Sequence, residues 1–314
     1  MRIVVLLFLF FSSIKATTLD EQLTQDAYLA TVNAAIVFTS QDGLSSGVYR
    51  FTKIDTQMRM YNLPLSYQFD PLTENTNLFV LFDLGYSDTR KAGNVLDENG
   101  TFLHLNNRMQ TYVGGIGVGI RYRATAHSDL SFGGELLYSR VGLTVRPEED
   151  LDGSSIENFF SDDFNDNFSY KLFAEYDYHR EYRGYEIYMK LNYKLYKTLS
   201  KFDLTDLAED IIGDITSLRS QTSVASLIMG FETDPLYNYR DMSLTLEPYL
   251  KGNYIWGDLA EVAKMGSYAT AGVSIYWNTP EKRAYIYRYF VEPSVSRGEG
   301  LAGLNLSLGF SLDF

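Results

Sequence analysis

Cysteine is missing altogether from the 314 residues, which excludes a disulfide scaffold and any thiolate-ligated metal site. Histidine is scarce at three residues, so imidazole chemistry has few sites to occupy. Basic charge is in deficit. The 27 Lys and Arg face 40 Asp and Glu, a net charge of −13, and a nucleic-acid partner, which wants a basic face, is not expected. Charged residues make up only 21% against 45% apolar, too little charge and too much apolar content for a disordered chain. Long hydrophobic runs are also lacking. Beyond the first sixteen residues no stretch approaches the 18 apolar residues of a membrane-spanning helix. The mean hydropathy of −0.16 suits a soluble protein, yet a bilayer-spanning barrel conceals its apolar content in every second residue.

What is present begins with an export signal. Met1-Arg2 is a short positive start, Ile3 to Phe11 is an apolar run, and Ser12-Ser13-Ile14-Lys15-Ala16 leads into Thr17. This pattern predicts a secretory signal peptide over residues 1–16, cleaved after Ala16. A short N-terminal segment (17–26) and one β domain (27–314) follow. Loss of Arg2 and Lys15 leaves 25 basic residues against 40 acidic ones, a charge of about −15. An exported chain without cysteine fits a Gram-negative envelope, where stray oxidation is a hazard.

The remainder alternates in twos. Leu304, Leu306, Leu308, Phe310, Leu312 and Phe314 are apolar, and Asn305, Ser307, Gly309, Ser311 and Asp313 lie between them. One face of that strand meets oil and the other water. The same period carries Leu78 to Tyr86, Tyr112 to Tyr122, Phe168 to Tyr178, Tyr185 to Leu195, Ala225 to Phe231 and Ala269 to Trp277. Several stripes end in Tyr, as an interfacial aromatic girdle does. The opposite faces hold Arg121, Arg123, Glu135, Lys171, Glu175, Asp177, Glu186, Lys190, Lys194, Glu247 and Arg288. In a transmembrane barrel these become lumen charges. Arg121 and Arg123 are placed to pair with Glu135, and Lys171, Glu175 and Asp177 to face Glu186, Lys190 and Lys194. Mixed signs suit a plugged or narrow lumen better than a selective pore.

Connection lengths support the barrel. Short turns near 70–77, 124–128, 180–184, 234–240 and 278–284 alternate with long loops near 88–108, 146–166 and 198–220. The fold predicted is all-β: a transmembrane, antiparallel, up-and-down β-barrel of about twelve strands. The first strand can be read in two ways. In the favoured one, Tyr28 to Phe38 is a strand, Ser40-Gln41-Asp42-Gly43 a turn, and Gly47 to Phe69 one long strand. In the other, a helix starts from the capping box Thr18-x-x-Glu21, and 47–69 splits into a hairpin near Asp55.

The ending Ser307-x-Gly309-x-x-Leu312-x-Phe314 resembles the C-terminal insertion signal of Gram-negative outer-membrane barrels, which implies recognition by the barrel-insertion machinery. Together with the signal peptide and twelve strands, it makes the chain similar to the translocator barrel of autotransporters. That family carries a passenger of hundreds of residues before its barrel; here ten to thirty are expected. The resemblance therefore implies a solitary autotransporter-type barrel in the outer membrane of a Gram-negative bacterium.

Candidate chemistry is sparse. His104 is expected in a long outer loop, and His127 and His179 near short turns, so no Ser-His-Asp set converges at one mouth. The His-x-Ser-Asn-Gly run of outer-membrane phospholipases is absent. The loop 147–166 carries Glu148, Glu149, Asp150, Asp152, Asp162 and Asp163 without Lys or Arg. Asp150-x-Asp152-Gly153 is similar to part of a calcium loop but lacks its later Glu, so a solvated acidic surface is expected and no metal. Leu204, Leu207, Ile211, Ile215 and Leu218 have helical spacing, predicting a short helix at the mouth. The reading is a non-enzymatic integral outer-membrane protein without cofactor. Its outer loops contact a ligand, a partner or lipopolysaccharide. A narrow solute channel and an outer-membrane hydrolase are the alternatives.

Overall fold

The computed structural model describes residues 34–38, 44–96, 102–147, 164–201, 217–240, 242–279 and 286–312. A helical turn α1 (34–38) precedes the strands β1 (Leu44–Phe51), β2 (Thr56–Gln68), β3 (Thr76–Leu96), β4 (Phe102–Thr125) and β5 (Ser128–Pro147). Next come β6 (Phe164–Tyr182), β7 (Tyr185–Lys201), β8 (Ser217–Glu232), the three-residue β9 (Tyr237–Tyr239) and β10 (Met242–Gly257). Helix α2 (Asp258–Ala263), β11 (Ser267–Asn278), β12 (Ile286–Gly298) and β13 (Leu301–Leu312) complete the order. Every pairing is antiparallel, and all but two join chain neighbours: β8 pairs β10, with β9 paired to β10 alone, and β1 pairs β13. β1 closes onto β13, from Leu44↔Leu308 to Phe51↔Leu301, so twelve strands form a sheet without an edge.

Closure leaves one choice for the oily stripes. Leu136 is 69% exposed, Leu304 68% and Val118 64%, and all three point outward. On the opposite face of β5 and β13, Glu135, Ser131 and Ser307 point inward and are buried. A soluble protein inverts this arrangement; a wall facing hydrocarbon requires it. Apart from β1, with 8 residues, and the short β9, the strands run to 12–24 residues and exceed the ~9–11 that a tilted membrane strand needs, so β3, β4 and β5 project beyond the apolar band.

The rim where β13 ends is here the near rim. The connections 69–75, 126–127, 183–184, 233–241 and 279–285 all meet there, as the short set predicts. The far rim is mixed. It has long connections at 148–163 and 202–216, but tight ones at 52–55 and 299–300. Residues 88–108, expected as a loop, mostly continue the ladder: β3 and β4 stay paired out to Leu96↔Phe102. His104 therefore lies within β4, opposite Asn94. Leu218 belongs to β8, and the rest of the helix predicted around it lies outside the described residues, as do Glu148, Glu149, Asp150, Asp152, Asp162 and Asp163.

The favoured first strand is corrected. Residues 34–38 are helical, and all five side chains are buried, whereas a wall strand would expose every second one. Residues 28–33 and the turn 40–43 lie outside the described residues. The stretch 47–69 folds as the hairpin β1–β2. Asp55 makes that turn without glycine, at φ 45°, a left-handed conformation that Asp tolerates. Arg50 Nη2 donates to Asp55 Oδ1 at 2.9 Å, and the Ile54 amide donates to the Phe51 carbonyl at 3.3 Å. The count stays at twelve because the hairpin supplies the strand that the N-terminal segment does not. Helix α2 was not foreseen. It leaves the wall at Gly257 (φ 89°) and ends at Lys264 (φ 51°), and its Asp258 Oδ2 accepts the Gln221 amide at 2.7 Å.

Inward glycines set how closely side chains cross the bore. A Cβ on Gly119 would lie 2.2 Å from the Phe79 ring, and one on Gly133 2.3 Å from Phe173. The two rings meet over this floor at 6.1 Å. Gly119→Val is expected to displace Phe79 and lower stability by about 1–3 kcal/mol, read from urea unfolding of the vesicle-inserted barrel. Wild-type stability in that variant would show that Phe79 does not depend on the glycine.

Candidate functional site

The lumen is the candidate site, and its two halves differ in chemistry. The near half is polar. Gly115 and Gly117 of β4 present no side chain to the bore, and carboxylates from the flanking strands approach across them; a Cβ on Gly115 would sit 2.3 Å from Glu135 Oε1. Lys171 of β6 stands opposite Glu135 of β5 in register and is ion-paired with it. The same Nζ lies 3.1 Å from Asp83 Oδ2 of β3. All three groups are buried. One ammonium between two carboxylates ties β3, β5 and β6 together across β4.

The predicted lumen charges all lie on strands of this wall, but several take other partners than expected. Glu135 is held by Lys171, not by Arg121 or Arg123. Arg121 donates to Ser131 Oγ at 3.4 Å and to Gln68 Oε1 at 3.3 Å, and its guanidinium lies 5.9 Å from the Phe79 ring centre. Arg123 lies 3.9 Å from Asp129. Register explains this, because Arg121 sits opposite Ser131 and Glu135 opposite Gly117. Asp177 pairs with Lys190 at 3.5 Å, its register partner. Glu175 accepts from Asn192 Nδ2 at 2.9 Å, and Lys194 stands opposite Phe173. Glu186 lies opposite Glu232 near the rim.

A second polar cluster crosses from β7 to β12. Arg288 pairs with Glu232 and lies 3.5 Å from the Tyr276 ring centre. Glu247 lines the lumen beside the phenols of Tyr188 and Tyr276. Glu292 accepts from Tyr249 Oη at 2.8 Å and from Ser274 Oγ at 2.6 Å. Between the two clusters the lumen is hollow, with lobes of about 310 and 570 Å³ that share Ser66 and Lys190. Of the residues expected to form an insertion signal, Ser307 lines the larger lobe, Gly309 lies against the Phe290 ring, and Leu312 pairs with Ile286. Phe314 lies outside the described residues.

The far half is apolar and was not anticipated. Phe38 and Ile36 of α1 are 0% exposed. The Phe38 ring packs on Tyr49 at 4.8 Å, Phe51 at 5.9 Å and Tyr268 at 6.1 Å. Met58, Met60, Tyr196, Ile255, Leu259 and Met265 belong to the same cluster. Tyr49 and Tyr268 also bound the larger lobe, so the hollow ends on this apolar plug. A signal for it exists in the sequence: Tyr49-Arg50-Phe51 and Met58-Arg59-Met60 alternate in the opposite phase, with the charge outward. Lys53 of the β1–β2 turn pairs with Glu299 of the β12–β13 turn and holds that exposed carboxyl below its usual range. His127 and His179 meet at the near rim, ring centres 6.4 Å apart, and Ser128 Oγ is bonded to Thr125 Oγ1 at 2.7 Å.

Lys171→Met strands two buried carboxylates. It is expected to cost about 3–5 kcal/mol in urea unfolding, and adding Glu135→Gln and Asp83→Asn should restore most of that. A loss below about 1 kcal/mol would mean that lumen water, not Lys171, carries the two charges.

No known protein family matches the chain, and no curated protein does. Solved structures do. The β domain of the Bordetella autotransporter BrkA aligns with 86% of this chain and 97% of its own, at 8% identity and a TM-score of 0.56. The transport unit of the autotransporter AIDA-I from Escherichia coli covers 95% and 100%, at 9% identity and 0.56. The translocator domain of the autotransporter NalP from Neisseria meningitidis covers 98% and 99%, at 13% identity and 0.52. At such identities the likeness is one of architecture: the chain folds as an antiparallel twelve-stranded barrel of the autotransporter translocator type.

Proposed function

We propose that this chain is an integral outer-membrane protein of a Gram-negative bacterium whose bore is sealed by its own residues 34–38. It works through its outer wall and far-rim surface, not by catalysis. The observation that carries the reading is the burial of α1 inside the barrel, where Phe38 and Ile36 are enclosed by inward side chains of β1, β2 and β11. A packed apolar layer excludes water, and ions do not cross without it. The outward apolar wall and the barrel-type solved structures support the membrane assignment. The non-catalytic reading draws support from the engagement of Ser128, the serine beside His127, with Thr125.

The polar hollow that reaches the plug favours a second reading, a narrow channel opened when α1 moves aside. Planar-bilayer recording separates the two. The full chain at high load is expected to give no discrete steps. Removal of residues 17–40, or Phe38→Asp together with Ile36→Asp, is expected to produce them. Steps from the intact chain as large as those from the truncated one would overturn the sealed barrel in favour of the channel.

A further inference from the structure

On the far side of the apolar band, the outward rows of adjacent strands change character in the same order. Along β2 the order is Leu63, Tyr61, Arg59; along β3 it is Leu84, Tyr86, then Asp88 and Arg90. Along β4 it is Ile116, Tyr112, Gln110, Arg108, and along β5 Leu136, Tyr138, Arg140. Oil gives way to aromatic and then to charge, the order of acyl chains, interface and headgroups. The aromatic row is continuous, with Tyr61–Tyr86 at 6.2 Å and Tyr86–Tyr112 at 5.1 Å, and Gln110 Nε2 donates to Tyr86 Oη at 2.8 Å.

Above that row the arginines are held in place. Arg108 makes a two-pronged contact with Asp88, Nε to Oδ1 at 2.9 Å and Nη2 to Oδ2 at 3.0 Å. Arg90 Nη2 reaches the same Oδ2 at 2.9 Å. The Asp88 side chain is only 8% exposed, while those of Arg90 and Arg108 remain 53% and 43% exposed. A buried carboxylate thus pins two guanidiniums and leaves their remaining donors facing the lipid headgroup layer. Arg59 lies beside Asp88 in register, and Arg140, 3.9 Å from Asp166, follows on β5. Four arginines on four successive strands span about 14 Å of wall at ~4.8 Å per strand, against the two carboxylates of Asp88 and Asp166. Guanidiniums in this array match phosphate oxygens. Their spread exceeds a headgroup with one phosphate and suits one with two.

We infer that the outer wall of β2–β5 above Tyr61, Tyr86 and Tyr112 is a binding site for a bis-phosphorylated glycolipid headgroup, of the lipid A type, in the outer leaflet. The inference rests on the outer-membrane reading above and names the lipid class and the residues. Its acyl chains lie along Leu63, Leu84 and Ile116, and its phosphates meet Arg59, Arg90, Arg108 and Arg140.

The test uses the full chain in phosphatidylcholine vesicles doped with bis-phosphorylated lipid A, with its dephosphorylated form, or with phosphatidylglycerol at equal charge. Bound lipid per protein is counted by native mass spectrometry, and alkaline carbonate extraction reports insertion. The phosphorylated glycolipid is expected to bind at least tenfold tighter than either alternative. R90A/R108A is expected to lose tenfold or more, and Arg180→Ala, an outward arginine near the other rim, nothing. Equal affinity for the dephosphorylated lipid or for phosphatidylglycerol overturns the site, as does unchanged binding by R90A/R108A. Should that variant not fold, D88N decides: it keeps both arginines but frees them, several-fold weaker binding supports the site, and unchanged binding overturns it. A chain that fails to insert overturns the membrane reading; a chain that inserts without discriminating lipids overturns only this inference.

Discussion

A backbone N–H or C=O left unpaired in hydrocarbon has no water to turn to, and each such group costs several kcal/mol. Twelve strands satisfy this by having no first and no last: β1 pairs with β13 and β10 with β11, so the ladder returns on itself. The rest follows from that closure. Side chains can leave the wall in two directions only, outward to lipid or inward to the bore. Alternation then sorts them, Leu304 and Leu136 to the outside and Ser307 and Glu135 to the inside.

The bore is where the chain spends its irregularity. Toward the near rim it is lined by ions and phenols, several of them paired with a neighbouring or facing strand. Lys171 between Glu135 and Asp83 is the tightest case, and it depends on Gly115 and Gly117 leaving room over β4. Toward the far rim the same inward positions become Tyr49, Met58, Met60 and Tyr196, because the occupant there is α1 rather than water. A buried apolar turn needs apolar walls, and an exposed stretch of wall beyond the bilayer needs charge outside. β1 and β2 meet both needs by reversing the phase of their alternation near residues 49–60.

The outer surface is layered by the same logic. Its aliphatic band, tyrosine rows and arginine clamp at Asp88 follow the change in polarity that a membrane imposes along its normal. Charge outside and apolar packing inside, at one height of the barrel, mark where the wall leaves hydrocarbon.

Period-two alternation determined much of this by itself. It placed the outward faces of most strands, the strand count, the near-rim turns and the barrel class, because one face of each strand meets oil along its whole span. It did not decide how residues 19–69 divide. Strand and helix patterns overlap in Tyr28 to Phe38, and the β1–β2 turn uses Asp55 in a left-handed conformation without the usual glycine. Nor did it reveal the partners inside the bore. Asp83 and Lys171 are 88 residues apart and meet across an intervening strand; Phe38 and Tyr268 meet across the lumen. Periodicity says which face a residue is on. What stands opposite it depends on the stagger of the closed sheet and on the glycines that let side chains pass, and those exist only once the barrel has closed.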